Sequence, residues 1–286
     1  MNISIASGKG GTGKTTVAVN LALSVQPSVY IDCDVEEPNG HILLKPIITE
    51  QKYVMKKLPS IDFNRCSYCG KCTDICEFNA IIALKNDVLV FEMCHGCGLC
   101  SYFCPEKAIE EINKNIGEIR SGYAKSELTM FIEGELNIGE MAAAPLIKQV
   151  RKEAVPGRIN FIDAPPGTSC SMVAAVKDSD YCILVTESTP FGLNDLKLAV
   201  DVIRSMGISF GVIINKYDDS FADIDKYCSD QKITILLKLP FERKIAECYS
   251  YGIPPVCKFP ELKEKFRDVF YKIQSSFLMK EVLLNR

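Results

Sequence analysis

The sequence predicts an α/β fold: a mostly parallel sheet with helices on both faces, interrupted by a small inserted α+β domain. Three observations carry this expectation. Short, near-continuous apolar runs alternate with helical patterns along most of the 286 residues. A glycine-rich loop joins the first run to the first helical pattern. Eight of the fourteen cysteines crowd between Cys66 and Cys104, where the alternation stops.

The strand-like runs are NISIA (2–6), VYIDC (29–33), INFIDA (159–164), YCILVTE (181–187), GVIIN (211–215) and ITILLKL (233–239). Continuous apolar runs of this length suit strands covered on both faces. In 14–25, Val17, Ala18, Leu21, Ala22 and Val25 recur with helical period. In 193–207, Leu196, Ala199, Val200 and Ile203 do the same, and Gly207 stops the helix. Alternating β and α means a parallel sheet under helices. Residues 112–158 read as β-hairpin strands followed by a helix. Residues 258–284 carry Leu262, Phe266, Val269, Phe270, Ile273 and Phe277 on one helical face. Their mixed charges favour packing on the core over contact with a membrane surface.

The insert is defined by a repeat. CSYCGKCTDICEFNAI (66–81) aligns with CHGCGLCSYFCPEKAI (94–109) at a constant offset of 28, with all four cysteines and the closing Ala-Ile matching. The expected organisation is a discontinuous outer domain, 1–57 and 112–286, around an inserted domain, 58–111.

Composition narrows the function classes. The chain is 47% hydrophobic and 24% charged, with a net charge of −3. It has no basic stripe that would fit nucleic acid. The N-terminus lacks the pattern of a signal peptide, and no apolar run approaches the length of a membrane span. A cytoplasmic location is expected, with no membrane association. Dense cysteine in a reducing compartment reads as metal or cofactor binding before disulfides.

The first chemical motif is Gly8-Lys9-Gly10-Gly11-Thr12-Gly13-Lys14-Thr15, which satisfies G-x-x-x-x-G-K-[ST] between a strand and a helix. Glycines let backbone N–H groups converge on phosphate oxygens. Gly8, Gly10, Gly11, Thr12, Gly13, Lys14, Thr15 and Thr16 are the expected nucleotide-binding residues. Lys14 would pair with the β- and γ-phosphates, and the Thr15 hydroxyl would ligand Mg²⁺.

The early Lys9 is extra. The form GKGGTGKTT resembles the deviant P-loop of the MinD/ParA/Mrp and nitrogenase iron-protein superfamily. That resemblance implies an ATP-dependent homodimer in which Lys9 reaches the partner's phosphates. YIDCDVEEPN (30–39) is similar to the family's switch I, and FIDAPPGTS (161–169) to its Walker B and switch II. By that resemblance Asp34 would position the attacking water, Asp32 would lie near Mg²⁺, and Asp163 would hold a Mg²⁺-bound water. Gly167 would approach the γ-phosphate, and Asn215 would contact adenine. Asn215-Lys216-Tyr217-Asp218 also matches the N-K-x-D guanine reader, so GTP stands as the alternative base choice.

The second motif is C-x₂-C-x₂-C-x₃-C, twice. It is the bacterial ferredoxin run for two [4Fe–4S] clusters, in which the fourth cysteine of each run serves the other cluster. One cluster is then expected on Cys66, Cys69, Cys72 and Cys104, the other on Cys94, Cys97, Cys100 and Cys76. Structural zinc is the alternative, but it does not need duplicated triples of this spacing. Of the remaining cysteines, Cys33, Cys170, Cys182, Cys228, Cys248 and Cys257, most read as buried small hydrophobes. Cys170, just past the switch II segment, is a candidate to meet its copy across a dimer. His41 and His95 are lone histidines; His95, between cluster ligands, reads as a surface residue, with tuning of a cluster as the alternative.

As a whole the chain resembles MinD-superfamily P-loop ATPases that carry an inserted ferredoxin domain. Three functions are compatible with that: ATP-gated electron transfer to a partner protein, an iron–sulfur assembly or carrier ATPase of the Mrp type, and a positioning ATPase like MinD or ParA.

Overall fold

In the computed structural model, residues 1–125 and 128–284 are described. The chain order begins β1 (Asn2–Ala6), α1 (Lys14–Ser24), β2 (Ser28–Asp32), α2 (Gly40–Leu44) and β3 (Ile47–Ile61). The cysteine-rich segment follows as α3 (Lys71–Asp74), β4 (Ile81–Ala83), β5 (Val88–Val90) and α4 (Leu99–Tyr102). Then come β6 (Ile109–Tyr123), β7 (Thr129–Leu136), α5 (Ala144–Arg151), β8 (Ile159–Asp163), α6 (Cys170–Val176), β9 (Tyr181–Glu187) and α7 (Pro190–Ser205). The chain closes with β10 (Phe210–Tyr217), α8 (Asp223–Asp230), β11 (Ile235–Pro240), α9 (Arg243–Ser250) and α10 (Pro260–Leu284).

Nine strands form one sheet in the order β11-β10-β9-β1-β8-β2-β7-β6-β3. The first seven in that order are parallel; β6 and β3 are antiparallel additions at one edge. The six apolar runs read from the sequence are all strands of the parallel part, and 112–158 does hold a hairpin, β6–β7, followed by α5. The parallel strands alternate their side chains between two covered faces. Ile31 and Ile162 point to a core with Leu146, Ile147, Leu196 and Val200 from α5 and α7. Tyr30, Phe131 and Phe161 point to the opposite core, with Leu21 of α1 and Phe266, Val269 and Phe270 of α10. The apolar stripe of α10 is thus spent on the body, chiefly against α1. No helix among the described residues is long and apolar enough to cross a membrane.

The edge differs in kind. β3 and β6 are each fifteen residues long and pair from Ile47↔Tyr123 at the sheet to Ile61↔Ile109 at the cysteine-rich segment. They run without a break across residues 57–58 and 111–112, so this segment grows directly out of the sheet edge. Its two halves repeat in backbone as well as in sequence. Gly70 and Gly98 both take left-handed backbone just before α3 and α4. Tyr68 and Gly96 share that conformation, as do Asn79 and Lys107. All these pairs keep the offset of 28.

Candidate functional site

The phosphate loop lies between β1 and α1, at the carboxyl ends of the parallel strands. Gly13, with φ of 89°, precedes α1 in the left-handed region, and no side chain caps the helix. The N–H groups of the first helical turn are therefore left for an anion. A Cβ on Gly13 would also come within 2.4 Å of the Asn215 amide nitrogen. That nitrogen donates to the Thr12 carbonyl at 2.8 Å, so the end of β10 is fastened to the loop.

The acids arrive on adjacent strands. Asp32 of β2 and Asp163 of β8 are in register, and both are fully buried. Lys14 Nζ lies 3.8 Å from Asp34 and 3.9 Å from Asp163. Burial pushes the Asp34 carboxyl up to about 6 against the pull of Lys14. Asp163 is raised by burial too, again opposed by Lys14. Its Oδ1 is buried without a hydrogen bond of ordinary geometry. Asp32 accepts from the N–H groups of Asp34, Asn39 and Gly40, which folds the switch-like segment back on the strand end. Two carboxylates, the Thr15 hydroxyl and Lys14 at the head of a helix are a donor set suited to a Mg²⁺-bound polyphosphate.

One member of this cluster was not anticipated from sequence. The Tyr30 hydroxyl lies 3.1 Å from Oδ2 of both Asp32 and Asp163. It reads in the sequence only as an apolar strand position. Beyond the loop a cleft of about 470 Å³ continues toward Pro240, Phe241, Ile245 and Tyr249. Its lining includes Gly10, Gly11, Thr12, Gly13, Lys14, Thr15, Thr16, Asp34, Pro166 and Asn215. Gly8 and Gly167 stand beside it. Gly8 packs on the Asp195 backbone, and the Gly167 N–H donates to the Ser7 carbonyl at 3.0 Å. Asp218 lies outside the cleft, in an adjoining depression with Ser188 and Tyr217. Its Oδ1 accepts from the Ser220 N–H at 2.9 Å. Lys9 reaches Glu187, at the end of β9.

These features coincide with a family match. A model of the CobQ/CobB/MinD/ParA nucleotide binding domain matches residues 3–256. The chain belongs to this nucleotide-binding family. An uncharacterized protein of Methanocaldococcus jannaschii is 33% identical over 224 residues, covering 76% of this chain and 78% of that protein. An iron-sulfur cluster carrier protein of Pyrococcus horikoshii is 25% identical over 293 residues, covering 92% of this chain and 84% of its own. Among solved structures, the cell division ATPase MinD of Pyrococcus furiosus superposes with a TM-score of 0.57 at 19% identity, covering 96% of this chain and 98% of that one. MinD of Pyrococcus horikoshii, complexed with Mg-ADP, gives 0.56 at 19% identity, covering 94% and 93%. These likenesses support the P-loop NTPase fold.

The eight clustered cysteines surround two cavities. Cys76, Cys94, Cys97 and Cys100 line one, against Lys57, Pro59 and Glu111 of the β3–β6 ribbon. Cys66, Cys69, Cys72 and Cys104 line the other, with Ile61 and Ile109. The fourth cysteine of each run has thus crossed to the other run's cavity. Equivalent backbone donors serve the sulfurs. Ala80 N–H donates to Cys76 Sγ, and Ala108 N–H to Cys104 Sγ, both at 3.3 Å. Among the described residues no three Cys, His, Asp or Glu side chains converge on one point as a single metal ion would need. Burial pushes the Cys100 thiol up to about 11 and raises Cys72 and Cys94.

Outside these cavities, Cys33, Cys182, Cys228 and Cys248 are buried, as expected. Cys257 is exposed, and so is Cys170 at the start of α6. Both histidines have partners. His95 stacks on Phe78 with ring centroids 3.8 Å apart and lines the first cavity. His41 Nδ1 lies 3.0 Å from the buried Glu133.

Proposed function

We propose that this chain is an ATP-binding and ATP-hydrolysing iron–sulfur protein that passes electrons to a partner protein under control of its nucleotide state. The observation that carries the iron–sulfur part is the crossed lining of the two cavities. Two independent single-ion sites would draw on each run separately. Crossing is what a two-cluster ferredoxin requires, because the fourth ligand of each run serves the other cluster. The N–H donors repeated at Ala80 and Ala108 suit thiolate ligands whose negative charge must be balanced. Residues 58–111 are accordingly read as a ferredoxin domain inserted in the ATPase domain 1–57 and 112–286. When bound, each cluster would supply one-electron transfer.

In the ATPase part, Lys14 and the N–H groups of the loop bind the β- and γ-phosphates. Thr15 and Asp163 would hold Mg²⁺, which would offset phosphate charge, with Asp32 beside Asp163 on the next strand. Asp34 orients the attacking water. Lys9 completes the site across a homodimer, in line with the resemblance of its P-loop. Adenine is favoured over guanine because Asp218 lies outside the cleft.

Anaerobic purification followed by iron and sulfide counts, and reduction with and without ATP, tests this reading. About eight irons per chain with redox behaviour that changes on adding ATP is the expected result. Absence of iron would overturn the electron-transfer reading.

The second reading is an iron–sulfur carrier ATPase, favoured by the similarity to the Pyrococcus horikoshii carrier protein. A transfer assay to an apo-protein separates the two. In electron transfer the iron stays on the chain while the acceptor is reduced; in carriage the iron leaves.

A further inference from the structure

The ribbon that joins the two parts buries a charge. Lys56 of β3 is 4% exposed and forms a buried ion pair with Glu140, itself 8% exposed, in the loop after β7. Directly across the ribbon from Lys56 stands Lys114 of β6, whose ammonium is 3.2 Å from the same carboxylate. Two facing lysines would repel; Glu140 sits between them and holds both. Lys114 is half-exposed and also pairs with Glu92.

Stability alone is a weak reason for this arrangement, since a buried ion pair replaced by apolar side chains is often neutral or stabilising. Its position suggests another. Gly96, between Cys94 and Cys97, lies against the ribbon so closely that a Cβ would come within 2.9 Å of the Lys56 Cγ and 2.7 Å of the Lys57 carbonyl. The Lys56 stem therefore touches the turn that carries two cysteines of one cavity. No ribbon lysine lines the other cavity, whose one lysine, Lys71, is an exposed residue of α3.

We propose that Lys56, held by Glu140, is a positioning charge that raises the reduction potential at the cavity of Cys76, Cys94, Cys97 and Cys100. This rests on the reading that the cavity holds a [4Fe–4S] cluster. Reduction adds one negative charge to such a site, and a buried cation nearby stabilises the reduced form more than the oxidised form. Glu140 fixes the ammonium and partly offsets it, and Lys114 restores part of what Glu140 removes. The other cavity, which no ribbon lysine lines, is left at its own potential.

The experiment is a redox titration of the anaerobically purified full chain, followed by electron paramagnetic resonance, with iron and sulfide counted in every sample. Loss of one of the two reduction steps in Cys97→Ala assigns the step belonging to this cavity. Lys56→Met should lower the potential of that step alone, and Lys56→Arg should keep it near wild type. Glu140→Gln should raise it. Opposite shifts for the two neutralised partners are expected of a charge effect. Shifts in the same direction, or no shift with iron retained, would overturn it, since loss of a merely structural pair moves both variants alike. If the Lys56 variants lose their iron, Lys114→Gln at the half-exposed lysine decides: a smaller lowering supports the proposal and an unchanged step overturns it. A wild-type chain without iron would instead refute the cluster reading itself.

Discussion

Lys9, the lysine that marks this P-loop as unusual, is bound within its own chain: its ammonium lies 2.5 Å from Glu187 at the end of β9. The same carboxylate takes Lys216, 3.2 Å away, and Lys216 also donates to the Gly11 carbonyl at 3.3 Å. Burial raises Glu187, but the two lysines outweigh it and hold its carboxyl below the usual range. Lys9 must leave this contact before it can serve a nucleotide on a second chain. Glu187→Gln should therefore promote ATP-dependent dimerisation, lowering the MgATP concentration at half-dimerisation severalfold. Light scattering during size-exclusion chromatography measures this; an unchanged midpoint would show that the contact holds nothing back.

Asp34 gives a pH dependence with a definite sign. Its folded carboxyl sits at about 6, above the unfolded value. Such a group contributes stability below about pH 4 that is lost as pH rises through 6. Asp34→Asn should stabilise the nucleotide-free protein above neutral pH by about 1–2 kcal/mol, and the gain should vanish near pH 4. Thermal unfolding across this range checks it. The same variant should bind ATP yet hydrolyse it slowly.

Crossed ligation makes a prediction that paired substitutions can read. Cys104→Ser and Cys66→Ser should remove the same cluster, so the double variant keeps about four irons. Combining Cys104→Ser with Cys97→Ser should strip both. Iron analysis on anaerobic samples distinguishes this from run-by-run ligation, which predicts the reverse pattern for the two doubles.

Base preference should be indifferent to Asp218. Asp218→Ala is expected to leave the ratio of ATP to GTP affinity within about twofold, because the side chain sits outside the cleft and bonds its own loop. Nucleotide titration by fluorescence tests it. Collapse of nucleotide binding would point instead to guanine recognition.

Nucleotide state should also reach the ribbon. The Leu136 N–H donates to the Val35 carbonyl at 2.8 Å, next to Asp34, and Glu140 follows four residues later in the same loop. A hydrolysis-resistant ATP analogue should shift the reduction step assigned to the Cys94 cavity in the wild type. The shift should be absent in Glu140→Gln.

Much of this architecture is legible in the sequence because burial on both faces leaves a simple mark. β1, β8 and β9 are mostly apolar runs, and the P-loop has no other common reading. β3 is different. It is an edge strand whose first seven residues are exposed, and it carries Glu50, Lys52, Lys56, Lys57 and Pro59 in place of an apolar alternation. Its partner β6 supplies the order, and partners are not visible along one chain. Tyr30 and Glu187 escape for the same reason. Tyr30 looks like any strand aromatic until β8 brings Asp163 beside Asp32, and Glu187 matters only because β9 ends next to the phosphate loop.

The ribbon of β3 and β6 acts as a ruler for the cysteine-rich segment it carries. Its height above the nucleotide site is set by a count of paired residues, at about 3.4 Å for each. Lengthening both strands by two residues would lift the cysteines outward while each side chain keeps its face. Lengthening them by one would turn the insert over, carrying Lys56 out to solvent and its neighbour in. The span between the nucleotide site and the cysteines is thus a discrete quantity, and only even steps keep every side chain on its face.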